Sequence, residues 1–574
     1  MVVRVRVPLA ALILKHFILL RMLRKSVLFM SAASLMLCSS CSKLGALSAD
    51  NFTVTPNPLE TRQGTVPATI NGHFPEKYMK KKAVVTIVPE LRYSNGTVVQ
   101  GNSATFQGEG VLGNDQTVNY QLGGNYTMKT NFAYAGDNKA EMFLTFNARL
   151  GSKLMQLPEI KVADGIIATS ELYRRTIQTA QAAVAPDAYQ RITKKKQAAN
   201  IKFLIQQANL RKSELKNNSV QEFVRLLKQI NNDREGLSLE NIEVSAYASP
   251  DGGFSINDRL AGERQKVSEQ YVNQELRKIK MNAPVDAKYT AQDWEGFQEL
   301  VKASNIQDKD IILRVLSMYK DPQEREQQIK NISSAFRELA DGILPELRRA
   351  RLTINYETIG RSDEQILEQM DADAKKLSIE ELLYGATLKS TPADAEKVYQ
   401  LATRIYPNDL RAYNNLATLE YARGNYEAAR RYLQQAQGLP EAKANLGLLA
   451  LKDGDIATAE QLIADATGAN GLAEILGNLN LAKGNYAQAE QDFADAYTNS
   501  AALAQILNKD YTSAAVTLKY VKQPDATTDY LRALMSARMG NMTDAREALQ
   551  SAIDKDASYA AYGANDIELQ KVNR

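Results

Sequence analysis

The chain has 574 residues, 44% hydrophobic and 24% charged, with a formal net charge of +4; that is too long for one hydrophobic core, so about three or four domains are expected. The positive balance belongs to residues 1–40, which carry Arg4, Arg6, Lys15, Arg21, Arg24 and Lys25 and no acid, and the remainder holds 64 basic against 66 acidic residues. That leaves no electrostatic footprint for nucleic acid, and beyond residue 40 only Cys41 and His73 remain of the chain's two cysteines and two histidines, which excludes a zinc site of histidine and cysteine there and leaves little for histidine-based catalysis.

The N-terminal stretch MLRKSVLFMSAASLMLCSSC has the basic head, apolar run and small residues of a secretory signal. SSC followed by SKLG resembles a bacterial lipoprotein signal, with Cys38 where leucine is usual. The resemblance implies that residues 1–41 end in an acylated cysteine, Cys41, and that 42–50 are a polar tether. It further implies lipid anchoring in an outer membrane. SKLGALSAD has no acidic cluster beside the cysteine, so the periplasmic face is expected, with surface exposure the alternative. No long uncharged apolar run follows, so no membrane span is expected.

Residues 51–157 alternate with period two. In VTIVPELRY, Val85, Ile87, Pro89, Leu91 and Tyr93 fall on one side, and Asn95-Gly96 then gives a hairpin turn. Several short strands in about 100 residues suggest a β-sandwich of immunoglobulin type. Residues 158–192 read as a connector, partly helical. Residues 193–360 mix both periods: strands are expected at 200–207, 241–247 and 348–357, and helices at 219–230 and 257–272. Residues 281–345, with the sole tryptophan Trp294, read as a mainly helical insertion, and 361–374 as a linker.

Residues 375–574 are a repeat array. LATLEYARGNYEAARRYLQQA, LGLLALKDGDIATAEQLIADA and LGNLNLAKGNYAQAEQDFADA align without gaps. Ala417, Gly447 and Gly477 hold a close-approach position, Ala429, Ala459 and Ala489 a second one, and turns recur at Gly424, Gly454 and Gly484, a period of 30. The array resembles tetratricopeptide repeats, whose period is about 34, and the shorter spacing implies trimmed turns.

VSAYASPDGGFSINDRLAGERQKV resembles the middle of an OmpA-like domain, a peptidoglycan-binding family. Gly252, Asn257, Leu260 and Arg264 match its turn and helix, and Arg348 and Arg349 match the arginines that open its last strand, while Ala261 and Gln265 depart from it. The resemblance implies a clamp for diaminopimelate, in which a carboxylate takes the ammonium and a guanidinium the carboxylate. Arg264 is present, but Ser249 stands at the family's aspartate. Losing a charge-assisted bond weakens such binding by about ten- to a hundredfold, unless Asp251 is carried back into the pocket.

The expected protein is a non-enzymatic outer-membrane lipoprotein without cofactor or metal, multidomain, with a β-sandwich, an α+β OmpA-like domain and an all-α repeat solenoid. Its partner is expected to be an envelope protein bound through Tyr399, Tyr413, Asn414, Tyr421 and Asn445. The alternative is a peptidoglycan anchor using Ser249, Asp251, Asn257 and Arg264.

Overall fold

The computed structural model describes residues 44–306, 308–331 and 337–572, so the signal and Cys41 lie outside the described residues. The chain forms two compact units. One runs to Pro186 and resumes at Tyr406; the other is Asp187–Ile405. The expected repeat region is thereby divided, with helices Ile379–Thr387 and Pro392–Ile405 in the second unit.

The first unit begins with two sheets. Three antiparallel strands run in the order Phe52–Thr55, Thr65–Phe74, Gly124–Ala133. The larger sheet runs Lys153–Met155, Ala140–Leu150, Ala83–Tyr93, Ala104–Gly108, Gln116–Val118, and its last pair is parallel. Burial alternates along Ala83–Tyr93 as its sequence dictates. Gly96 takes φ +89° at the turn, and the Asn95 side chain accepts from Thr97 N–H at 2.9 Å. Ile70, Phe74 and Phe132 from one sheet share a core with Ile87, Leu91 and Met142 from the other. Each such buried side chain contributes roughly 1.5–3 kcal/mol.

The same unit ends in helix pairs: Arg411–Ala422 with Tyr426–Gln435, Pro440–Asp453 with Ile456–Ala464, and Leu472–Ala482 with Tyr486–Phe493. Asn499–Leu507 with Tyr511–Tyr520 and Ala526–Arg538 with Met542–Lys555 continue the series. The recurrent turn glycines sit at φ +78°, +84° and +72°. In the fourth turn Lys509 takes φ +67° instead. A Cβ added at Gly477 would lie 2.8 Å from the Phe493 ring, and one at Gly447 2.5 Å from Ile463 Cγ1. Gly477→Ala should therefore lower stability by about 1–3 kcal/mol through overpacking, despite the helix-propensity gain of about 1 kcal/mol. Denaturant unfolding followed by circular dichroism tests it; an unchanged midpoint would show that the helices part freely.

The second unit holds a four-stranded sheet in the order Ile192–Lys202, Arg349–Ile359, Leu237–Tyr247, Val285–Thr290. Helix Asn218–Asn232 buries Val220, Phe223, Leu226, Leu227 and Ile230 on it, the face its spacing predicts. Two expectations change. The first strand is Ile192–Lys202, not 200–207; beyond it the backbone turns, with Gln206 at φ +55°. Within the supposed helical insertion, Val285–Thr290 pairs in parallel with Ile242–Tyr247, since alternation in VDAKYT suits an edge strand. The insertion's helices follow it at Trp294–Ala303, Lys309–Met318 and Pro322–Asn331. The expected linker is mostly helix, Asp363–Asp373, capped by Ser362 and Gln365 through reciprocal bonds of 3.2 and 2.8 Å.

Candidate functional site

Two places gather the residues singled out from the sequence. In the second unit, the turn after Tyr247 brings Asp251 back to Ser249, whose hydroxyl donates to the Asp251 carboxylate. Arg348 donates to both, at 3.2 Å to Ser249 Oγ and 3.1 Å to Asp251 Oδ2. Asn257 fixes the turn by donating to the carbonyls of Ser249 and Gly252 at 2.8 and 2.9 Å. The two adjacent arginines diverge: Arg348 pairs with Asp251, and Arg349 with buried Asp293 at 3.0 Å. Burial raises the Asp293 carboxyl, while the Gly296 N–H and Arg349 hold it down.

Arg264 makes no hydrogen bond to this cluster's carboxylate, although Asp251 attracts it at longer range. It is 1% exposed and donates only to carbonyls: Gln207 at 3.0 Å, Tyr247 at 2.9 Å and Leu204 at 3.3 Å. Burial, with repulsion from Arg348, brings its guanidinium down to about 10. The cavity beside Asp251 is walled by Pro250, Trp294 and Phe297 and measures about 20 Å³, room for about one water. The structure thus brings Ser249, Asp251 and Asn257 together but gives Arg264 a different task from the one the resemblance implies.

The second place is the face formed by the first helix of each repeat pair, and it is filled. The stretch from Thr169 to Pro186 of the expected connector lies along it, in short helical turns from Thr169 to Thr179 and without helix or strand from Ala180 to Pro186, after two strands at Ile160–Asp164 and Ile166–Ile167. Asn415 grips Ala185 from both sides, accepting its N–H at 2.8 Å and donating to its carbonyl at 3.0 Å. Asn445 does the same to Ala183, at 2.6 and 2.8 Å. Asn414 adds a second donor to the Ala183 carbonyl at 2.9 Å, and Glu474 accepts the Gln181 N–H at 3.4 Å. Burial raises the Glu474 carboxyl, and the Gln181 N–H opposes that. Tyr421 donates to the Ile177 carbonyl at 2.5 Å.

These contacts share one geometry. Asn415 and Asn445 are equivalent positions one period apart, and they hold residues two apart in an extended segment, whose alternate backbone groups face the same way. The connector therefore runs antiparallel to the repeats, one repeat per two residues. Ala183 and Ala185 are buried while Val184 is exposed, and a Cβ added at Gly471 would lie 3.8 Å from Ala183 Cα.

Asn414, Tyr421 and Asn445 were expected to meet a partner; they hold the chain's own connector instead, because its unpaired backbone groups need donors and acceptors once buried. Tyr413 packs half-buried against the repeat core, and Tyr399 lies 7% exposed in the second unit. Asn415, Glu474 and Asn470, which donates to the Val184 carbonyl at 3.0 Å, were missed. The 30-residue equivalence of Asn415 to Asn445 is the signal that marks the first.

Elsewhere, His73 is on strand Thr65–Phe74, and its Nδ1 lies 2.6 Å from Asn125 Oδ1. Among the described residues no group of acids, histidines and cysteines could hold a metal, and no helix is long and apolar enough to cross a membrane. Asp566 is pushed up to about 6 by burial and by Glu568, against the Tyr530 hydroxyl 2.6 Å away and Arg538. Its folded pKa exceeds the unfolded value of 3.8. The folded state thus holds a proton the unfolded state has lost, and this group's contribution falls as pH rises from about 4 to 6. Asp566→Asn should stabilise the protein at pH 7.5 by about 1–3 kcal/mol, an advantage that vanishes toward pH 4. Thermal unfolding across that range checks it; a pH-independent difference would contradict it.

No family model and no curated protein matches this sequence. Among solved structures, the chain is similar to a tetratricopeptide repeat protein from Parabacteroides merdae, at 17% identity over 37% of this chain and 91% of that one, TM-score 0.27. It is also similar to PilW, a widely conserved type IV pilus biogenesis factor, at 19% identity over 37% and 89%, TM-score 0.21. A third is yeast Tom70, at 10% identity over 55% and 75%, TM-score 0.22. TM-scores this low carry no weight for activity or partner; the repeat architecture stands on its own helix pairs, turn glycines and close-approach positions.

Proposed function

We propose that the chain is a non-enzymatic scaffold of the cell envelope, lipid-anchored to the outer membrane through Cys41, in which an immunoglobulin-type sandwich and an OmpA-like core carry a protein-binding repeat array. The observation that supports this is the repeat face itself, which holds a run of polypeptide by side-chain amides directed at its backbone. With that face occupied, the partner is taken to meet exposed aromatic residues of the array, Tyr497 and Tyr520, whose ring centroids lie 5.4 Å apart. The test is photo-crosslinking in intact cells from benzoylphenylalanine at Tyr497 or Tyr520. One discrete envelope protein should be captured; its absence would remove the reading. Cys41→Ser should leave the outer-membrane fraction.

Peptidoglycan binding is the second reading, favoured by one feature: Asp251 restores a carboxylate next to Ser249. Against it, Arg348 already neutralises that carboxylate and Arg264 is sealed beneath carbonyls. Neither charge that a zwitterionic diaminopimelate needs is free. Purified residues 42–574 should stay in solution with isolated sacculi. Sedimentation abolished by Asp251→Asn would reinstate the wall anchor.

A further inference from the structure

The four-stranded sheet of the second unit has two edges, and their chemistry differs. Strand Ile192–Lys202 forms one. It carries Lys194, Lys195 and Lys196 in succession, all exposed, a run of like charge that opposes the addition of another strand. Strand Val285–Thr290 forms the other, and among the described residues it pairs only with Leu237–Tyr247. It has no such guard. Its two charges, Asp286 and Lys288, are exposed and opposite in sign, and Tyr289 is 45% exposed. Asn241 donates to the Asp286 carboxylate at 2.5 Å.

The ladder fixes which backbone groups this edge presents. The Pro284 carbonyl accepts from Ile242 N–H at 3.0 Å, and the Thr290 carbonyl from Ala248 N–H at 3.2 Å. A strand turns alternate residues toward its neighbour, so the even-numbered residues bond to Leu237–Tyr247. Val285, Ala287 and Tyr289 therefore turn their N–H and C=O groups to the open edge.

An antiparallel copy of the strand fits those groups when Ala287 meets Ala287 across a twofold axis. Ala287 then exchanges both bonds with its counterpart, and Val285 does the same with Tyr289. Asp286 falls opposite Lys288 on both sides of the axis, in the closer, non-hydrogen-bonded pairing. The adjacent registers lose this match. Centring on Val285 sets Asp286 against Pro284 and Lys288 against Asn282; centring on Tyr289 sets Lys288 against Thr290 and Asp286 against Gln292.

We propose that the protein forms a symmetric dimer through this edge, Val285–Thr290 pairing antiparallel with its copy about Ala287, so that two four-stranded sheets join into one. The contact is isologous, the same residues on both copies. Its opposite-charge and aromatic–β-branched pairs each favour strand pairing. Only 6 residues of each copy take part, so the interface is small and Kd is on the order of micromolar. The proposal goes beyond the scaffold reading and does not depend on it, since it uses the second unit's sheet and not the repeats.

Sedimentation velocity of purified residues 42–574, from about 1 to 200 μM, should show a monomer–dimer equilibrium. Asp286→Lys and Lys288→Asp should each weaken it at least about tenfold, because like charges then stand directly opposite. Mixing the two single variants should restore dimers, since the lysines of one copy meet the aspartates of the other on both sides of the axis. The double variant, Asp286→Lys with Lys288→Asp, should dimerise as wild type does. Fluorescence of Trp294, in the same unit, verifies the fold of each variant. A wild type that stays monomeric throughout overturns the proposal, and so does a dimer that both single variants leave intact. Folded single variants that fail to pair when mixed overturn the register about Ala287. A monomeric wild type that captures a different protein through this strand would make the edge a site for a foreign strand and overturn the dimer.

Discussion

Arg264→Ala should cost the second unit about 3–5 kcal/mol, the range for removing a buried charged side chain from its partners. Two losses add. The side chain is among the largest fully buried ones, so truncation opens a cavity. The carbonyls of Gln207 and Tyr247 lose the Arg264 donor, while that of Leu204 keeps the Gln207 N–H at 3.1 Å, and each dry, unsatisfied polar group costs about 1–3 kcal/mol. Arg264→Lys should recover part of this, since one ammonium can reach some but not all of carbonyls arranged around a planar fork. Trp294 is the sole tryptophan and lies in this unit, so urea unfolding followed by its fluorescence isolates the effect. If Arg264 served a ligand instead, truncation would leave the midpoint where it is and change only binding.

That contrast shows what the sequence could carry here. The helix expected at 257–272 is present and longer, Phe254–Lys278, and it buries both Asn257 and Arg264. The sequence does not say what the guanidinium meets. Its acceptors come from Leu204 and Gln207, in a stretch whose apolar residues read as strand but which turns at Gln206. A backbone carbonyl has no sequence signature, so an arginine capped by three of them looks the same, in sequence, as one waiting for a carboxylate. Val285–Thr290 escaped for a related reason: six residues pairing in parallel at a sheet edge carry half the periodic signal of a central strand and none of its turn chemistry.

The repeats were legible because their constraints are local. Gly447 and Gly477 are required by atoms one helix away, and the turn glycines by their own φ. The occupant of the repeat face was not legible. AQAAVAP has no periodic apolar face, no turn signal and no charge, and reads as a featureless link. Its order comes from contacts more than 200 residues distant in sequence, Ala185 to Asn415 and Ala183 to Asn445. Two equivalent asparagines buried in an alanine-rich array were the available hint, since a buried amide needs a partner for both its ends.

Asn445→Ala should release the connector. The Ala183 N–H then has no partner, while its carbonyl keeps Asn414 at 2.9 Å; Asn414 itself loses the 3.0 Å bond by which Asn445 orients it. A stranded N–H and a slackened neighbour together cost about 2–4 kcal/mol, so amide protection over residues 180–186 should fall about a hundredfold, read by hydrogen exchange. The loss stops growing once the segment lets go, so Asn415→Ala added to Asn445→Ala should cost less than the sum of the two. Asn478 is the control. It is 2% exposed, as buried as Asn445, but donates to Glu474 within its own helix. Asn478→Ala should lower global stability slightly and leave the connector's exchange unchanged. Equal protection of residues 180–186 in wild type and Asn445→Ala would mean that the segment is held by burial of Ala180, Ala183 and Ala185 alone. The asparagine ladder would then be a consequence of its position and not the cause.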